Sequence, residues 1–460
     1  MNLVTRPIGP WRRAIVALAL ALAVRTTGAA AAAPALDWQR KLTIGAPTET
    51  DPAIAMDASA VFVAGAVEKA PGPYAVDTDL LLSAYDPATG DLLWREHFDL
   101  PGREEFVRSL AARRGLVVVG GASTDLEEAD FAWLVRAHDA RSGALRWSDE
   151  AAPGQGAALV QGVAIGGGRV FAAGSASDAS GFTHWLVRAY DPADGHVAWE
   201  EQADFGGPLE FATRIAFSAG RVVAVGVGGP RDDGDWVVRA YDAATGRVLW
   251  HERLDVGGKL DLPTTLALHG RHLFVGGSTV RTKNPDGSFD LDWLVRSYDA
   301  ASGDVRWQDR FDLGGREDFA SSLAVSPAGV FVAGSGSTAA ARSDFLIRAY
   351  RPRDGALLWR DQVEVAPTGR WQVPTGVATL GGKVVVSAAT DDAGIDLDWL
   401  VRVYEARSGR LRGQDRFDLA GGNDIPSFQA IAAGAHRAFV LGEAQAARQR
   451  KLVVRAYDLR

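Results

Sequence analysis

Two loops of the sequence concentrate oxygen-bearing side chains around a glycine, as calcium-binding loops do. They are NPDGSFDLD at 284–292 and DDAGIDLD at 391–398. The carboxylates that we expect to bind calcium there are Asp290, Asp292, Asp396 and Asp398. Neither loop has the complete spacing of an EF-hand, so a solvated acidic turn is the alternative interpretation.

Motifs for other chemistry are absent from the sequence. It contains no Gly-x-Ser-x-Gly, no His-Glu-x-x-His, no phosphate-binding loop and no dinucleotide fingerprint. The eight histidines are scattered, and the close pair His269 and His272 falls in a predicted turn. A catalytic or cofactor-binding residue therefore cannot be named from a motif.

The most conspicuous pattern is a repeat typified by DWVVRAYDAATGRVLW at 235–250. A tyrosine, or once a histidine, marks each copy, and consecutive marks are 51 to 57 residues apart: Tyr85, His138, Tyr190, Tyr241, Tyr298, Tyr350, Tyr404 and Tyr457. A residue that every structural unit needs is rarely the single residue that reacts. The repeat therefore predicts architecture and no particular chemistry.

Each period contains four short runs rich in β-branched and aromatic residues, separated by turn residues. In the fourth unit they are 210–217, 221–226, 235–242 and 246–255. The last unit stops after its third run, whereas Trp38 has the context of a fourth. We therefore predict an all-β fold, an eight-bladed β-propeller of four-stranded antiparallel blades, closed by one N-terminal and three C-terminal strands.

Twelve of the 14 tryptophans occupy repeat positions, where flat rings can fill the gaps between blades. Seven arginines recur in the third strand, and we expect them to tie neighbouring blades together: Arg136, Arg188, Arg239, Arg296, Arg348, Arg402 and Arg455. The recurrent Asp99, Asp312 and Asp418 are their candidate partners.

The first 35 residues differ from the rest. Arg12 and Arg13 precede an apolar run of 11 residues, 14–24, and an alanine-rich stretch follows. This layout is typical of a secretory signal and too short to span a membrane, and it leaves general and twin-arginine export both open. We predict a signal peptide at 1–35, one domain at 36–460, and a secreted or periplasmic protein. Cleavage would lower the formal net charge from −8 to −12, which argues against nucleic acid as a partner.

The repeat resembles that of the quinoprotein-like (PQQ-like) propellers, A-x-D-x-x-T-G-x-x-x-W, called the tryptophan-docking motif. Residues 84–94 and 240–250 match it fully. The resemblance implies a propeller, shared by pyrroloquinoline-quinone (PQQ) dehydrogenases and by non-catalytic outer-membrane assembly propellers. The enzymes hold the quinone with calcium, whose ligands include a Glu, an Asn and Asp residues, beneath a disulfide between adjacent cysteines. This chain has no cysteine, and Asn423 is its one plausible asparagine ligand.

In such a meander, the loops from strand four to strand one and from strand two to strand three share one face of the disk, here called the loop face. The sequence predicts that it is acidic, through Glu104, Glu105, Asp130, Asp232, Asp233, Asp235, Asp261, Asp290, Asp292, Glu317, Asp318, Asp391, Asp392, Asp396 and Asp398. We expect a non-catalytic binding or scaffold module that contacts a protein or polysaccharide through this face. A quinone-dependent dehydrogenase using the same face is the alternative. No cofactor is required, calcium or PQQ stays open, and a monomer is the simplest expectation.

Overall fold

A computed structural model describes residues 33–45, 52–68, 78–100, 103–125, 130–151, 156–230, 234–283, 289–314, 317–337, 342–364, 371–391, 396–419, 422–446 and 449–460. The predicted signal at 1–35 lies almost wholly outside these residues and stays a prediction. Within the described ranges, no helix has the length and hydrophobicity that a membrane crossing requires.

The described chain folds into eight four-stranded antiparallel sheets. Blades one to four contain, in order, β2 Ala53–Met56, β3 Val61–Glu68, β4 Thr78–Tyr85 and β5 Leu92–Phe98; β6 Arg103–Arg113, β7 Leu116–Asp125, β8 Asp130–Asp139 and β9 Leu145–Ala151; β10 Ala158–Gly166, β11 Arg169–Ser177, β12 Thr183–Tyr190 and β13 Val197–Ala203; β14 Phe211–Ser218, β15 Arg221–Gly228, β16 Asp235–Asp242 and β17 Val248–Leu254.

Blades five to eight continue the same order. They contain β18 Asp261–His269, β19 His272–Lys283, β20 Phe289–Asp299 and β21 Val305–Phe311; β22 Phe319–Ser326, β23 Gly329–Ser337, β24 Ser343–Tyr350 and β25 Leu357–Val363; β26 Gln372–Leu380, β27 Lys383–Thr390, β28 Asp398–Glu405 and β29 Leu411–Phe417; β30 Asp424–Gly434, β31 Arg437–Ala446, β32 Gln449–Asp458 and, from the other end of the chain, β1 Ala35–Gly45.

The eighth blade closes the ring as predicted. Its strand order is β30-β31-β32-β1, and the pairing of β1 with β32 runs from Ala35 opposite Asp458 to Gly45 opposite Arg450. The first strands of consecutive blades contact each other around the ring, including β30 with β2, so they line the central channel. The all-β, eight-bladed propeller is therefore confirmed.

The recurrent tryptophans of strand four dock onto the following blade. Trp199 of blade three donates from Nε1 to the carbonyl of Ala243 at 3.1 Å, and its ring covers Gly246. Gly246 has a φ of 74°, and a Cβ there would lie 2.6 Å from Cδ2 of Trp199. Only glycine fits both the left-handed turn and the ring. The same contact joins Trp38 to Gly90, Trp94 to Gly143, Trp147 to Gly195, Trp250 to Gly303, Trp307 to Gly355 and Trp359 to Gly409.

The recurrent arginines do tie blades together, but the partners predicted for them are wrong. Each pairs with a carboxylate in the middle of the preceding blade's fourth strand: Arg136 with Glu96, Arg188 with Asp149, Arg239 with Glu201, Arg296 with Glu252, Arg348 with Asp309, Arg402 with Asp361 and Arg455 with Asp415. Asp99, Asp312 and Asp418 come directly after the fourth strand, three residues beyond the carboxylates that pair with the arginines. The repeat tyrosine donates to the same carboxylate, as Tyr190 does to Asp149 at 2.7 Å.

Candidate functional site

Buried carboxylates hold the loops of the loop face in place. In five blades an Asp or Glu beside the start of strand one accepts a hydrogen bond from the backbone N–H five residues earlier: Glu105 from Leu100, Glu210 from Phe205, Asp261 from Val256, Asp318 from Leu313 and Asp424 from Leu419. All five side chains are inaccessible to solvent. They are therefore parts of the loop scaffold and not a charged surface.

Burial makes these carboxyl groups weak acids. It raises the pKa of Asp261 to about 8, of Asp318 to about 7 and of Asp424 to about 6, and it also raises the pKa of Glu210. Backbone N–H groups oppose the shift in each case, but the loss of hydration is the larger effect. The proton affinity of these groups thus follows from their structural role.

The predicted acidic face therefore needs correction. Six of its carboxylates are buried: Glu105, Asp235, Asp261, Asp292, Asp318 and Asp391. The exposed charge lies instead on residues that follow the fourth strands, at one repeat position in six blades; we call them the acidic rim: Asp99, Asp204, Asp255, Asp312, Glu364 and Asp418. Asp99 is half-buried, and the other five are exposed. In the sequence, the recurrent Phe-Asp pair marks this position in three blades, at Asp99, Asp312 and Asp418.

The four predicted calcium ligands fall in two blades that are not neighbours. Asp290 and Asp292 lie on β20 of blade five, whereas Asp396 and Asp398 lie at the start of β28 in blade seven. Arginines accompany them: Arg310 pairs with Asp292 at 2.6 Å, and Arg416 lies 3.6 Å from Asp398. The structure thus does not bring the four together, and calcium binding at either loop stays a prediction. Residues 284–288 and 392–395 lie outside the described chain.

Two other groups, which sequence reasoning missed, are spaced to hold a metal ion. One is His184, Asp204 and Glu210, and the other is Asp235, Asp255 and Asp261. Each group combines a residue at the start of strand three, one just after strand four and one at the start of strand one of the next blade. The first and second residues are about 20 positions apart and the second and third about 6, a spacing that forms no local motif. In the first group, the carboxylate of Glu210 is already occupied by the N–H groups of Phe205, Gly207 and Gly229.

Among the described residues, the side chain of Gln429 crosses the central channel. β30 carries a large bulge, in which its pairing with β31 jumps from Pro426 to Ile431. Gln429, inside this bulge, reaches from blade eight to the opposite side of the ring. Its Nε2 donates to the carbonyls of Thr264 at 2.8 Å and Ser321 at 3.1 Å. Its Oε1 accepts from Nε of Arg214, in blade four, at 2.6 Å.

The residues present do not fit a quinone held on the axis of the ring. Such a cofactor would need the space that Gln429 fills. Asn423, the candidate asparagine ligand, lies at the loop before β30, and its Oδ1 accepts the backbone N–H of Leu397 at 3.0 Å. The sequence also lacks the cysteine pair that the resemblance requires. No catalytic step through a quinone can therefore be assigned to these residues.

Comparisons with known proteins agree on the fold. The family model described as "Outer membrane protein assembly factor BamB" (PQQ_2) matches residues 131–343. The quinohemoprotein alcohol dehydrogenase ADHIIG from Pseudomonas putida HK5 has a TM-score of 0.54 at 15% identity, covering 92% of this chain and 76% of that one. A europium-containing methanol dehydrogenase has a TM-score of 0.53 at 11% identity, covering 91% of this chain and 93% of that one. Chaetomium thermophilum Sqt1, bound to the N-terminus of ribosomal protein L10, has a TM-score of 0.51 at 12% identity, covering 91% of this chain and 100% of that one.

Comparison with curated proteins gives no match. The matched segment, 131–343, spans the third strand of blade two to the start of the third strand of blade six, where the docking tryptophans and glycines are regular. The repeat chemistry, the family match and the eight-bladed ring agree with one another. Residues 131–343 match the PQQ-like repeat family, and the described chain has the fold of a PQQ-like β-propeller.

Proposed function

We propose that this protein is an exported, non-catalytic propeller that binds a basic protein partner through its acidic rim. The observation that carries the proposal is the rim itself, in which the same repeat position bears a carboxylate in six blades. The formal net charge of the chain, −8, has the same sign. Charge of one sign on one face attracts and orients an oppositely charged partner.

The loop face also offers apolar side chains to a partner. Phe182 stands on the turn between β11 and β12 with 49% of its surface exposed. Oδ1 of Asp178 accepts hydrogen bonds from the backbone N–H groups of Ser180 and Phe182, which order the turn. Phe428, in the bulge of β30, is 43% exposed. Rigid exposed aromatic residues lose little entropy on binding and are favoured at the centres of protein interfaces.

The related structures support a protein partner over a small substrate. The matching family model is described as an outer-membrane protein assembly factor, and Sqt1 was solved with the N-terminus of another protein bound to it. Both involve another protein, and in this chain Gln429 fills the axis of the ring. A polysaccharide partner has no comparable support.

Export is part of the same proposal. It rests on the charged, apolar and small-residue segments of the first 35 residues and on a chain without cysteine, which folds identically in oxidising and reducing compartments. N-terminal sequencing of the protein recovered from a secreted or periplasmic fraction tests it. A mature N-terminus near residue 36 is expected, and an intact N-terminus in the cytoplasm would contradict export.

The partner is tested with two variants of equal charge change. The rim variant carries Asp204→Asn, Glu364→Gln and Asp418→Asn. The matched control carries Asp91→Asn, Asp194→Asn and Asp354→Asn, three exposed acids in the turns of the opposite face. Immobilised proteins are incubated with the exported proteins of the source cells, and the retained proteins are quantified by mass spectrometry.

A partner held by the wild type and by the control, but lost by the rim variant, is the expected result. Retention of the same proteins by all three would show that the rim is not the binding surface. Oxidation of alcohols or sugars by the purified protein with added quinone and calcium would instead support the dehydrogenase alternative.

A further inference from the structure

Three carboxylates meet where blade four passes into blade five. Asp235 begins β16, Asp255 follows β17 and Asp261 begins β18. One oxygen from each lies within 4.8 Å of the others. Oxygens bound to one calcium ion at 2.3 to 2.6 Å are at most about 5 Å apart, so this spacing suits a single ion.

An unsatisfied oxygen of Asp261 points to a ligand at this place. The side chain is fully buried; its Oδ2 accepts the N–H of Val256 at 2.7 Å, but its Oδ1 has no hydrogen-bond partner among the described residues. The equivalent oxygens in blades six and eight are satisfied. Oδ1 of Asp318 accepts the N–H of Ser337 at 2.9 Å, and Oδ1 of Asp424 accepts that of Gln445 at 3.2 Å. A buried carboxylate oxygen without a donor is costly, so Asp261 is the exception that needs a partner.

The backbone of blade five differs at this place. Val280 occupies the repeat position of Ser337 and Gln445, and its N–H donates to the carbonyl of Leu260 at 3.1 Å, whereas the N–H of Gln445 is shared between the carbonyl of Asn423 and Oδ1 of Asp424. Its hairpin is also longer than that of blade six, because the β19–β20 ladder continues to Lys283 opposite Phe289 after a register shift beyond Val280. In this hairpin no described N–H donates to Oδ1 of Asp261.

Among the described residues, the carboxylates at this place also have fewer arginine partners than the equivalent carboxylates one blade further on. Asp235 pairs with Arg253. In blade five the equivalent Asp292 pairs with Arg310, and a second guanidinium, that of Arg281, reaches both Asp292 and the rim residue Asp312. At the repeat position of Arg281, blade four has a proline. Burial and the charges of Asp235 and Asp255 together raise the pKa of Asp261 to about 8, in keeping with too little positive charge around it.

We propose that Asp235, Asp255 and Asp261 form a calcium-binding site between blades four and five. Three carboxylates and no nitrogen or sulfur ligand favour a hard cation, and calcium accepts varied arrangements of protein oxygens, whereas magnesium demands an octahedron and keeps several waters. Asp255 is exposed, so the ion can enter from solvent and displace water from it. The site goes beyond the proposed partner binding, because it joins one rim residue, Asp255, to the buried Asp235 and Asp261 for a different ligand.

The test is isothermal titration of the full, chelator-treated protein with calcium chloride. The diagnostic variant is Asp255→Asn, whose exposed position keeps folding intact. The matched control is Asp312→Asn, the same repeat position in the next blade, where Arg281 supplies the positive charge. A third variant, Asp261→Asn, removes the buried ligand, and a fourth carries Asn at positions 290, 292, 396 and 398.

One calcium per wild-type chain is expected, with affinity at least about tenfold weaker in Asp255→Asn and unchanged in Asp312→Asn. If Asp261→Asn folds, it should bind no calcium. If it does not fold, the calcium affinity of Asp255→Asn alone tests the proposed site. No binding by the wild type at millimolar calcium, or equal binding by Asp255→Asn, would overturn the proposal. Loss of binding in the fourth variant alone would place the ion in the loops predicted from sequence. The partner assay leaves Asp235, Asp255 and Asp261 intact, so failure of either proposal leaves the other standing.

Discussion

At the scale of single residues, the blades are held together by one repeated set of contacts, and the exceptions to it are informative. In blade three, Arg188 and Tyr190 both reach Asp149 of blade two, and Tyr190 also accepts a hydrogen bond from Trp133. In blade two the tyrosine position holds His138. This side chain is fully buried, and its Nδ1–H donates to the carbonyl of Gly143 at 3.0 Å. Its Nε2 has no hydrogen-bond partner among the described atoms.

We predict that His138 makes the protein sensitive to mild acid and that His138→Tyr removes this sensitivity. Burial lowers the pKa of His138 to about 4 from about 6.5. Because the folded pKa is the lower one, protonation favours unfolding. Stability is therefore complete above pH 6.5 and declines as the pH falls towards 4, by up to about 3 kcal/mol. Urea unfolding at pH 7 and pH 5 measures the difference.

The expected result is a smaller loss of stability between pH 7 and pH 5 in His138→Tyr than in the wild type. Tyr190→Phe serves as the control, since it removes a hydroxyl from the same position of the next blade without altering a group that titrates in this range. Equal losses in the wild type and in His138→Tyr would contradict the prediction.

At the scale of strands, the joint between the first and last blades differs from the other joints. Trp38 of β1 donates to the carbonyl of Pro87 at 3.1 Å and covers Gly90. The arginine position of blade one, however, holds Ser83, so the joint has no equivalent of the ionic tie. Its closure depends on the pairing of β1 with β32, on the docking of the Trp38 ring, and on the exposed side chain of Arg40, which binds the carbonyl of Thr89 and the carboxylate of Asp91.

Deletion of residues 36–43 is therefore expected to cause aggregation or a large loss of stability. It removes most of β1, exposes the edge of β32 and empties the place of Trp38. The variant Trp38→Ala keeps the strand and separates the two effects, with an expected cost of about 3 to 5 kcal/mol. Thermal melting and size-exclusion chromatography measure both. A deletion variant that stays monomeric with unchanged melting would contradict closure by β1.

At the scale of the whole molecule, the first described strand and the last three strands form one sheet. Ala35 lies opposite Asp458, where the other blades have the turn between strands three and four. Closure is thus noncovalent, and the ring has the same connectivity wherever the chain is opened at such a turn. These turns are exposed and polar, the kind of site at which chains tolerate new ends.

A circular permutant is therefore expected to fold. Residue 460 is joined to residue 35 through a short Asp-Ala-Ser-Gly turn, and new ends are made between Ala244 and Thr245, in the turn between β16 and β17. We expect native-like circular dichroism and a melting temperature within a few degrees of the parent. A control opened inside β16, between Val238 and Arg239, should fail because it breaks paired strands. A permutant opened at the turn that does not fold would show that the position of the ends matters beyond closing the ring.

The sequence by itself determined the blades and their joints, because the same residues face the same neighbours every 51 to 57 positions. Strand boundaries in blade four were predicted to within two residues, and the filling of the gaps between blades by tryptophan rings followed from residue type and spacing. Only the tertiary structure decided which carboxylates are exposed. The sequence does not distinguish Asp261 from Asp255, yet the side chain of Asp261 is buried and that of Asp255 is exposed. The reach of Gln429 across the channel also has no periodic signal in the sequence. A repeat reports what every blade shares, whereas these contacts depend on the one place where a blade departs from it.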